Sequence, residues 1–188
     1  MKMLHSSSLD VAGWRRMFEM GADNPQAWRM SAENLLRGAR AVGSEICISG
    51  TLTDTIVSVQ AMLIGMSIEC SLKALWLKQD RRYATRGEGF LRDGKLNLRV
   101  IEGARKHKLR KMATTVGLSD VAELELLERL SWFISWAGRY PVPLSAGQML
   151  PKNMENSGQV IPRVISVEDL KKADGLAVRL LEEATPWI

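Results

Sequence analysis

The stretch Gly65-Met-Ser-Ile-Glu-Cys-Ser-Leu-Lys-Ala-Leu-Trp76 decides the fold of this chain. Apolar residues recur through it and just before it with the period of an α-helix, and one core stripe comprises Ile64, Ile68, Leu72 and Leu75. Glu69 and Lys73 lie one turn apart on the neighbouring stripe, in the orientation that favours a helical ion pair. We therefore predict a long core helix, from about residue 53 to residue 78, whose Glu69–Lys73 pair sits in a bundle interior or at an interface.

Helical spacing continues through most of the chain, so the sequence predicts an all-α fold, a bundle of four or more antiparallel helices. Other helices are expected at about residues 10–20, 26–42, 98–116 (in two pieces around Gly103) and 119–137. Val121, Leu124, Leu127, Leu130 and Ile134 should form the core face of the last of these.

The chain of 188 residues, 46% of them hydrophobic, reads as a single domain over residues 1–188 with its core at about 25–143. A connection containing four prolines occupies about residues 139–165 and precedes a C-terminal helix at about 167–184. Such a long connection is typical of a lid, a partner-binding arm or a disordered excursion. A short strand at Gln159–Ile165 also fits the pattern.

Positive charge is concentrated in one region of the chain. Residues 73–111 hold 13 Lys or Arg against four Asp or Glu, a net charge of +9, whereas the whole chain carries +5. Such a region is typical of a surface that binds polyanions, although a loop kept soluble by charge has the same composition. The residues expected to meet phosphates are Arg81, Arg82, Arg105, Lys106, Lys108, Arg110 and Lys111.

Several classes of site have no signature in this sequence. It contains neither a phosphate-binding loop motif nor a dinucleotide-binding fingerprint, and its two cysteines and two histidines have no zinc-site spacing. We expect no metal and no cofactor. Without a sustained apolar segment at the N-terminus or a run of about 18 apolar residues, we expect a cytoplasmic protein without a membrane span.

His107 is the most interesting titratable residue because it stands between Lys106 and Lys108. Neighbouring positive charge should disfavour its protonated form and leave it a neutral acceptor, which would suit a general base in RNA cleavage. The alternative is a surface histidine that helps to hold a loop. Cys70 is expected to pack in the core.

Three short segments together resemble the HEPN superfamily of small helical proteins. They are Ser67-Ile-Glu-Cys-Ser-Leu-Lys-Ala-Leu75, similar to the Glu-x-x-Leu-Lys-Ala-Leu core helix of that family, Lys106-His-Lys-Leu-Arg-Lys-Met-Ala113, similar to its His-x-Leu segment, and Gly138-Arg-Tyr-Pro141, similar to its Arg-Tyr-Pro end. The resemblance covers residues 53 to 143. It implies a helical bundle, often dimeric, of a kind found in toxins, phage-defence ribonucleases and partners of nucleotidyltransferases.

Catalytic HEPN proteins carry an arginine followed by four to six residues and a histidine. Arg99 lies eight positions before His107, Arg105 lies two before it, and Arg139 has no histidine after it. We therefore expect a homodimeric protein that binds RNA or a nucleotide in a stress or phage-defence (toxin–antitoxin) system, with an antitoxin or nucleotidyltransferase as partner. The alternatives are a non-catalytic interaction scaffold and a divergent metal-independent ribonuclease that uses His107 with Arg105 or Arg139.

Overall fold

The computed structural model describes residues 11–49, 54–79, 89–92, 95–137, 152–153, 160–161 and 165–185. This part of the chain is mostly helical, as predicted, and six α-helices pack together in it. They are α1 (Val11–Ala22), α2 (Pro25–Ser49), α3 (Asp54–Gln79), α4 (Leu109–Thr115), α5 (Val121–Trp132) and α6 (Val167–Glu183). The helix α5 continues directly into a π-helical segment, Phe133–Ala137.

Between α3 and α4 the chain makes short elements only. Strands β1 (Leu91–Arg92) and β2 (Lys95–Leu96) pair antiparallel, and two 3₁₀ turns follow at Leu98–Val100 and Ala104–Lys106. A second antiparallel pair joins β3 (Lys152–Asn153) to β4 (Val160–Ile161). The short strand expected near the end of the long connection is thus present, at Val160–Ile161.

The predicted core helix is α3, and the other helices are arranged around it. It packs against α2, α4, α5, α6 and the π-helical segment. All four residues of the predicted stripe are buried, namely Ile64, Ile68, Leu72 and Leu75. Because α3 is apolar on nearly every side, enclosure by neighbouring helices is the arrangement its sequence favours.

The length and composition of α3 also meet the criteria for a membrane span, over Ile56–Gln79, and half of the most apolar stretch is buried inside the described structure. Core helices of soluble proteins meet the same criteria. The finding therefore describes the length and apolar composition of α3 and nothing more.

Gly65 allows α3 to approach the π-helical segment closely. A Cβ atom at this position would lie 2.8 Å from Cγ1 of Ile134 and 3.6 Å from the carbonyl oxygen of Leu130. Since atoms at the first of these distances overlap, any side chain larger than hydrogen would push the two elements apart.

Two local predictions were wrong. The helix α2 continues past Gly43 to Ser49, because a glycine inside a helix costs only about 1 kcal/mol and packing against α3 outweighs it. Val121 is 64% exposed because it begins α5, directly after the N-cap Asp120, and only the later turns reach the core. Phe90, within the basic region of residues 73–111, is fully buried, which the charge of that region did not indicate.

Candidate functional site

Two opposite charges are buried on α3. Glu69 and Lys73 are each 5% exposed, and Lys73 Nζ donates to Glu69 Oε1 over 2.6 Å. The helix places them one turn apart on the same side, so the predicted pair forms without any long-range requirement. Removing one member of such a buried pair strands the other charge in the core.

An aromatic cluster covers this ion pair. Lys73 Nζ lies 4.5 Å from the ring centroid of Trp28, within the range of a cation–π interaction. The Trp28 indole N–H donates to the carbonyl oxygen of Ala22, which fixes the ring at the end of α1. Phe90 packs between two tryptophans, with centroids 5.7 Å from Trp28 and 5.0 Å from Trp76. Lys73 is therefore held by an anion and an aromatic face together.

The segment from Gly103 to Lys108, which we call the His107 turn, brings a histidine to the same ion pair. His107 has a φ of 52°, the only positive φ at a non-glycine residue among those described, and Gly103 has a φ of 90°. The N–H groups of His107 and Lys108 donate to the carbonyl oxygens of Ala104 and Gly103 and close the turn. Left-handed backbone is costly for a residue with a Cβ, so surrounding contacts must hold it in place.

Buried side chains on both sides fix the His107 turn to the bundle. Ile101, Ala104 and Leu109 have at most 1% of their surface exposed. The backbone N–H of Leu109 donates to the Ser131 hydroxyl on α5, and that hydroxyl donates in turn to the carbonyl oxygen of Leu127. The turn is thus attached to the core by buried side chains on both sides and by a hydrogen bond to α5.

His107 contacts the second carboxylate oxygen of Glu69, with 2.7 Å between Nδ1 and Oε2. Burial would raise the pKa of Glu69, but the hydrogen bond from His107 and the charge and hydrogen bond of Lys73 outweigh it, and the pKa is lowered. The carboxylate is therefore ionised near neutral pH and can only accept, so Nδ1 carries a hydrogen and donates. A neutral His107 can then accept only through its other ring nitrogen.

The other ring nitrogen of His107 is available for chemistry. The side chain is 38% exposed, and Nε2 has no hydrogen-bond partner within the described ranges. A carboxylate that fixes Nδ1–H sets which nitrogen of a neutral imidazole has the free lone pair. Here that nitrogen is Nε2, so an acceptor or base function falls to it.

The predicted phosphate-binding residues divide into three groups. Arg105, Lys106 and Lys108 are exposed on the His107 turn. Arg110 is half-buried on α4, and exposed Lys111 donates to Glu102 over 2.6 Å. The other predicted site residues lie outside the described residues: Arg81, Arg82 and Arg139. Of the two predicted catalytic arginines, the structure therefore places only Arg105, which is on the same turn as His107.

Two lysines of the basic region are engaged in contacts within the protein. Lys73 is in the ion pair with Glu69, and Lys78 Nζ donates to the carbonyl oxygens of Glu183 and Thr185 at the end of α6. Counting all 13 cations of residues 73–111 therefore overstates the charge that a ligand could meet.

Sequence reasoning did not anticipate the parts of this site that come from other segments. Trp28, Phe90 and Ser131 belong to it through contacts that span the bundle. A phenylalanine within a basic, glycine-rich stretch is a usable signal of an anchor, because a solvated loop has no need of it. Ser131, in the middle of a helix, carries no such signal.

Cys70, next to Glu69 on α3, is half-buried. Burial raises the pKa of its thiol to about 11, with Glu69 acting in the same direction and Lys73 against it. A thiol with this pKa is a poor nucleophile at neutral pH. The described residues include no group of three or more His, Cys, Asp or Glu that could hold a metal ion.

Comparison of the chain with protein-family models, with curated proteins and with solved structures finds no match. The resemblance to the HEPN superfamily thus stays a prediction that depends on the three quoted segments. The proposed function therefore depends on the geometry of the site.

Proposed function

We propose that this protein is a HEPN-like helical bundle that binds RNA through the His107 turn. The observation that supports this most directly is the exposure of Arg105, Lys106 and Lys108 on one turn anchored by buried neighbours and by the His107–Glu69 contact. Because the backbone of this turn is already fixed, binding a phosphate chain has to order only the side chains of these cations. Their contacts supply affinity and position and carry no sequence information.

The biological setting in this proposal comes from the family resemblance. We infer an antiparallel bundle in a cytoplasmic homodimer, whose long connection before the last helix is available to a partner. The partner would be an antitoxin or a nucleotidyltransferase, in a stress or phage-defence system.

The proposal is tested with labelled single-stranded RNA and purified full-length protein at about 50 mM salt. The variant R105A/K106A/K108A removes the three exposed charges of the His107 turn. The matched control removes three exposed charges elsewhere: Arg37, Lys171 and Lys172. We expect the turn variant to lose at least about tenfold in affinity and the control to lose much less. Equal losses in the two variants would mean that net charge alone drives binding.

A second function, metal-independent RNA cleavage, is favoured by the orientation of His107. Glu69 fixes Nδ1–H, and Nε2 points its lone pair away from that contact. As general base, Nε2 would take the proton of a ribose 2′-hydroxyl, whose oxygen attacks the adjacent phosphorus. The bond from phosphorus to the 5′-oxygen then breaks, that oxygen takes a proton from solvent, and a 2′,3′-cyclic phosphate remains. Arg105 is the described cation best placed by sequence to stabilise the phosphorane.

Replacing His107 with Gln tests the cleavage hypothesis separately from binding. We expect H107Q to bind RNA but to produce no cyclic phosphate, and an RNA with 2′-deoxyribose at the cleaved positions to resist the wild type. Cleavage by H107Q at the wild-type rate would exclude His107 as the base. If the wild type does not cleave RNA, the cleavage hypothesis is rejected and RNA binding remains as the only proposed function.

A further inference from the structure

A cavity between α2 and α6 is lined by three arginines, one of which makes no ion pair among the described residues. Its volume is about 310 Å³, and its lining includes Arg29, Arg37 and Arg40. Arg37 is paired with Glu33, and Arg40 donates from two nitrogens to the carboxylate of Asp174. The Nε of Arg29 is buried and has no hydrogen-bond partner within the described ranges. Arg29 is therefore the arginine of this cavity without an ion pair within the described ranges, while Glu33 and Glu182 also line the cavity.

The Nε atom of Arg29 is buried, so a ligand in the cavity would meet the terminal nitrogens of this guanidinium. A guanidinium without an ion pair is a natural anchor for an oxyanion. A guanidinium binds planar carboxylates with two parallel hydrogen bonds. The volume lies at the lower end of the range typical of small-molecule sites. An ordered anion of modest size would satisfy both the charge and the space.

The remaining walls indicate what else the ligand carries. Leu36 from α2 and Val178 and Leu181 from α6 supply apolar surface. Glu33, which pairs with Arg37, and exposed Glu182 also line the cavity and would repel a second negative charge. The ligand should therefore have one negative charge at one end and a compact apolar body.

We infer that this cavity binds a small organic carboxylate, with its carboxyl group on Arg29 and its apolar body against Leu36, Val178 and Leu181. This site is independent of RNA binding at the His107 turn. A ligand bound there would link α2 to α6 and stabilise the folded chain.

The test is an NMR titration of the full chain with benzoate, following the Arg29 side-chain Nε–H resonance, together with thermal unfolding at the same concentrations. Benzamide has the same ring and no charge, and phenyl phosphate has the same ring and up to two charges. We expect benzoate to shift the Nε–H resonance and raise Tm, benzamide to do neither, and phenyl phosphate to bind more weakly than benzoate.

Two variants locate the effect. R29M removes the unpaired group and should fold with unchanged or higher Tm, while its affinity for benzoate falls at least about tenfold. R179M removes an arginine of α6 that pairs with Glu123 of α5 and does not line the cavity. This variant should still show the benzoate-induced shift and the rise in Tm. The inference is overturned if benzoate leaves the wild type unaffected, if R29M responds as the wild type does, if R179M loses the response equally, or if phenyl phosphate binds more tightly than benzoate.

Discussion

His107 Nδ1 lies 2.7 Å from Oε2 of Glu69, a contact that joins residues 38 positions apart in the chain. Through it, the buried ion pair of α3 and the exposed cations of the His107 turn become parts of one unit. The other oxygen of Glu69 accepts from Lys73. One carboxylate therefore neutralises a lysine in the core and positions a histidine at the surface.

Replacing one member of the Glu69–Lys73 pair should cost far more stability than its contact is worth. We expect E69M to lower the free energy of unfolding by about 3–5 kcal/mol, because Lys73 is then a buried charge without a counterion. In E69M/K73M no charge is stranded, so the double variant should be more stable than E69M. Urea unfolding of both singles and the double measures this coupling.

An exposed ion pair provides the comparison. Arg37 and Glu33 are also four residues apart on a helix, but their side chains are 70% and 42% exposed. We expect R37M to change stability by no more than about 0.5 kcal/mol. A double variant E69M/K73M whose loss equals the sum of its singles would show that the buried pair is not coupled.

Acid should weaken the fold through Glu69. The pKa of Glu69 is lower in the folded chain than the ordinary value of 4.5, so between those two values the unfolded chain binds more protons. Glu69 should therefore make its full contribution to the free energy of unfolding above about pH 5. This contribution should decrease as the pH drops below about 4.5 and through the folded pKa. E69Q cannot titrate and should lack this part of the decline.

The comparison needs unfolding free energies of the wild type and E69Q from about pH 3 to about pH 7. Asp169 also has a lowered pKa, since hydrogen bonds from Ser166 and the charges of Arg129 and Lys172 outweigh its burial. It is present in both proteins, so the difference between the two curves reports Glu69. Parallel curves would contradict the assignment of the carboxylate as ionised and paired.

The backbone of His107 should respond to glycine. At a φ of 52°, a residue with a Cβ costs about 1–2 kcal/mol relative to its preferred backbone, whereas glycine costs little. H107A and H107G both lose the contact with Glu69, so H107G should be the more stable by about 1 kcal/mol. Chemical denaturation of the two variants measures the difference, and an H107A that equals or exceeds H107G would show that the turn relaxes.

The sequence predicted what depends on local spacing. The interval of four between Glu69 and Lys73 predicted their pair, and the helix predicted at about residues 167–184 is α6, which begins with a capping box formed by Ser166 and Asp169. Both follow from helix geometry alone.

The features of the site that the sequence did not predict depend on contacts between segments that are far apart in the chain. Neighbouring lysines suggested how His107 is protonated, but a carboxylate 38 residues earlier decides which nitrogen carries the hydrogen. The net charge of +9 for residues 73–111 includes Lys73, which is buried in its pair with Glu69, because a sum over residue types takes no account of burial. Trp28 reaches Lys73 only because α2 packs along α3.

Cys70 should resist alkylation while the protein is folded. Burial raises the pKa of its thiol to about 11, so very little thiolate exists near neutral pH. We expect iodoacetamide to label Cys70 much more slowly in the native protein than in urea, as measured on the Cys70 peptide by mass spectrometry. Native labelling as fast as that of the unfolded chain would contradict the burial of this side of α3.

The most direct test of the account is the salt dependence of RNA binding by the wild type and by R105A/K106A/K108A. For single-stranded RNA, each phosphate contact contributes about 0.7 to the slope of log Kd against log salt concentration. If the His107 turn meets three phosphates, the variant's slope should be smaller by about 2. An unchanged slope, or no binding by the wild type at about 50 mM salt, would contradict the account.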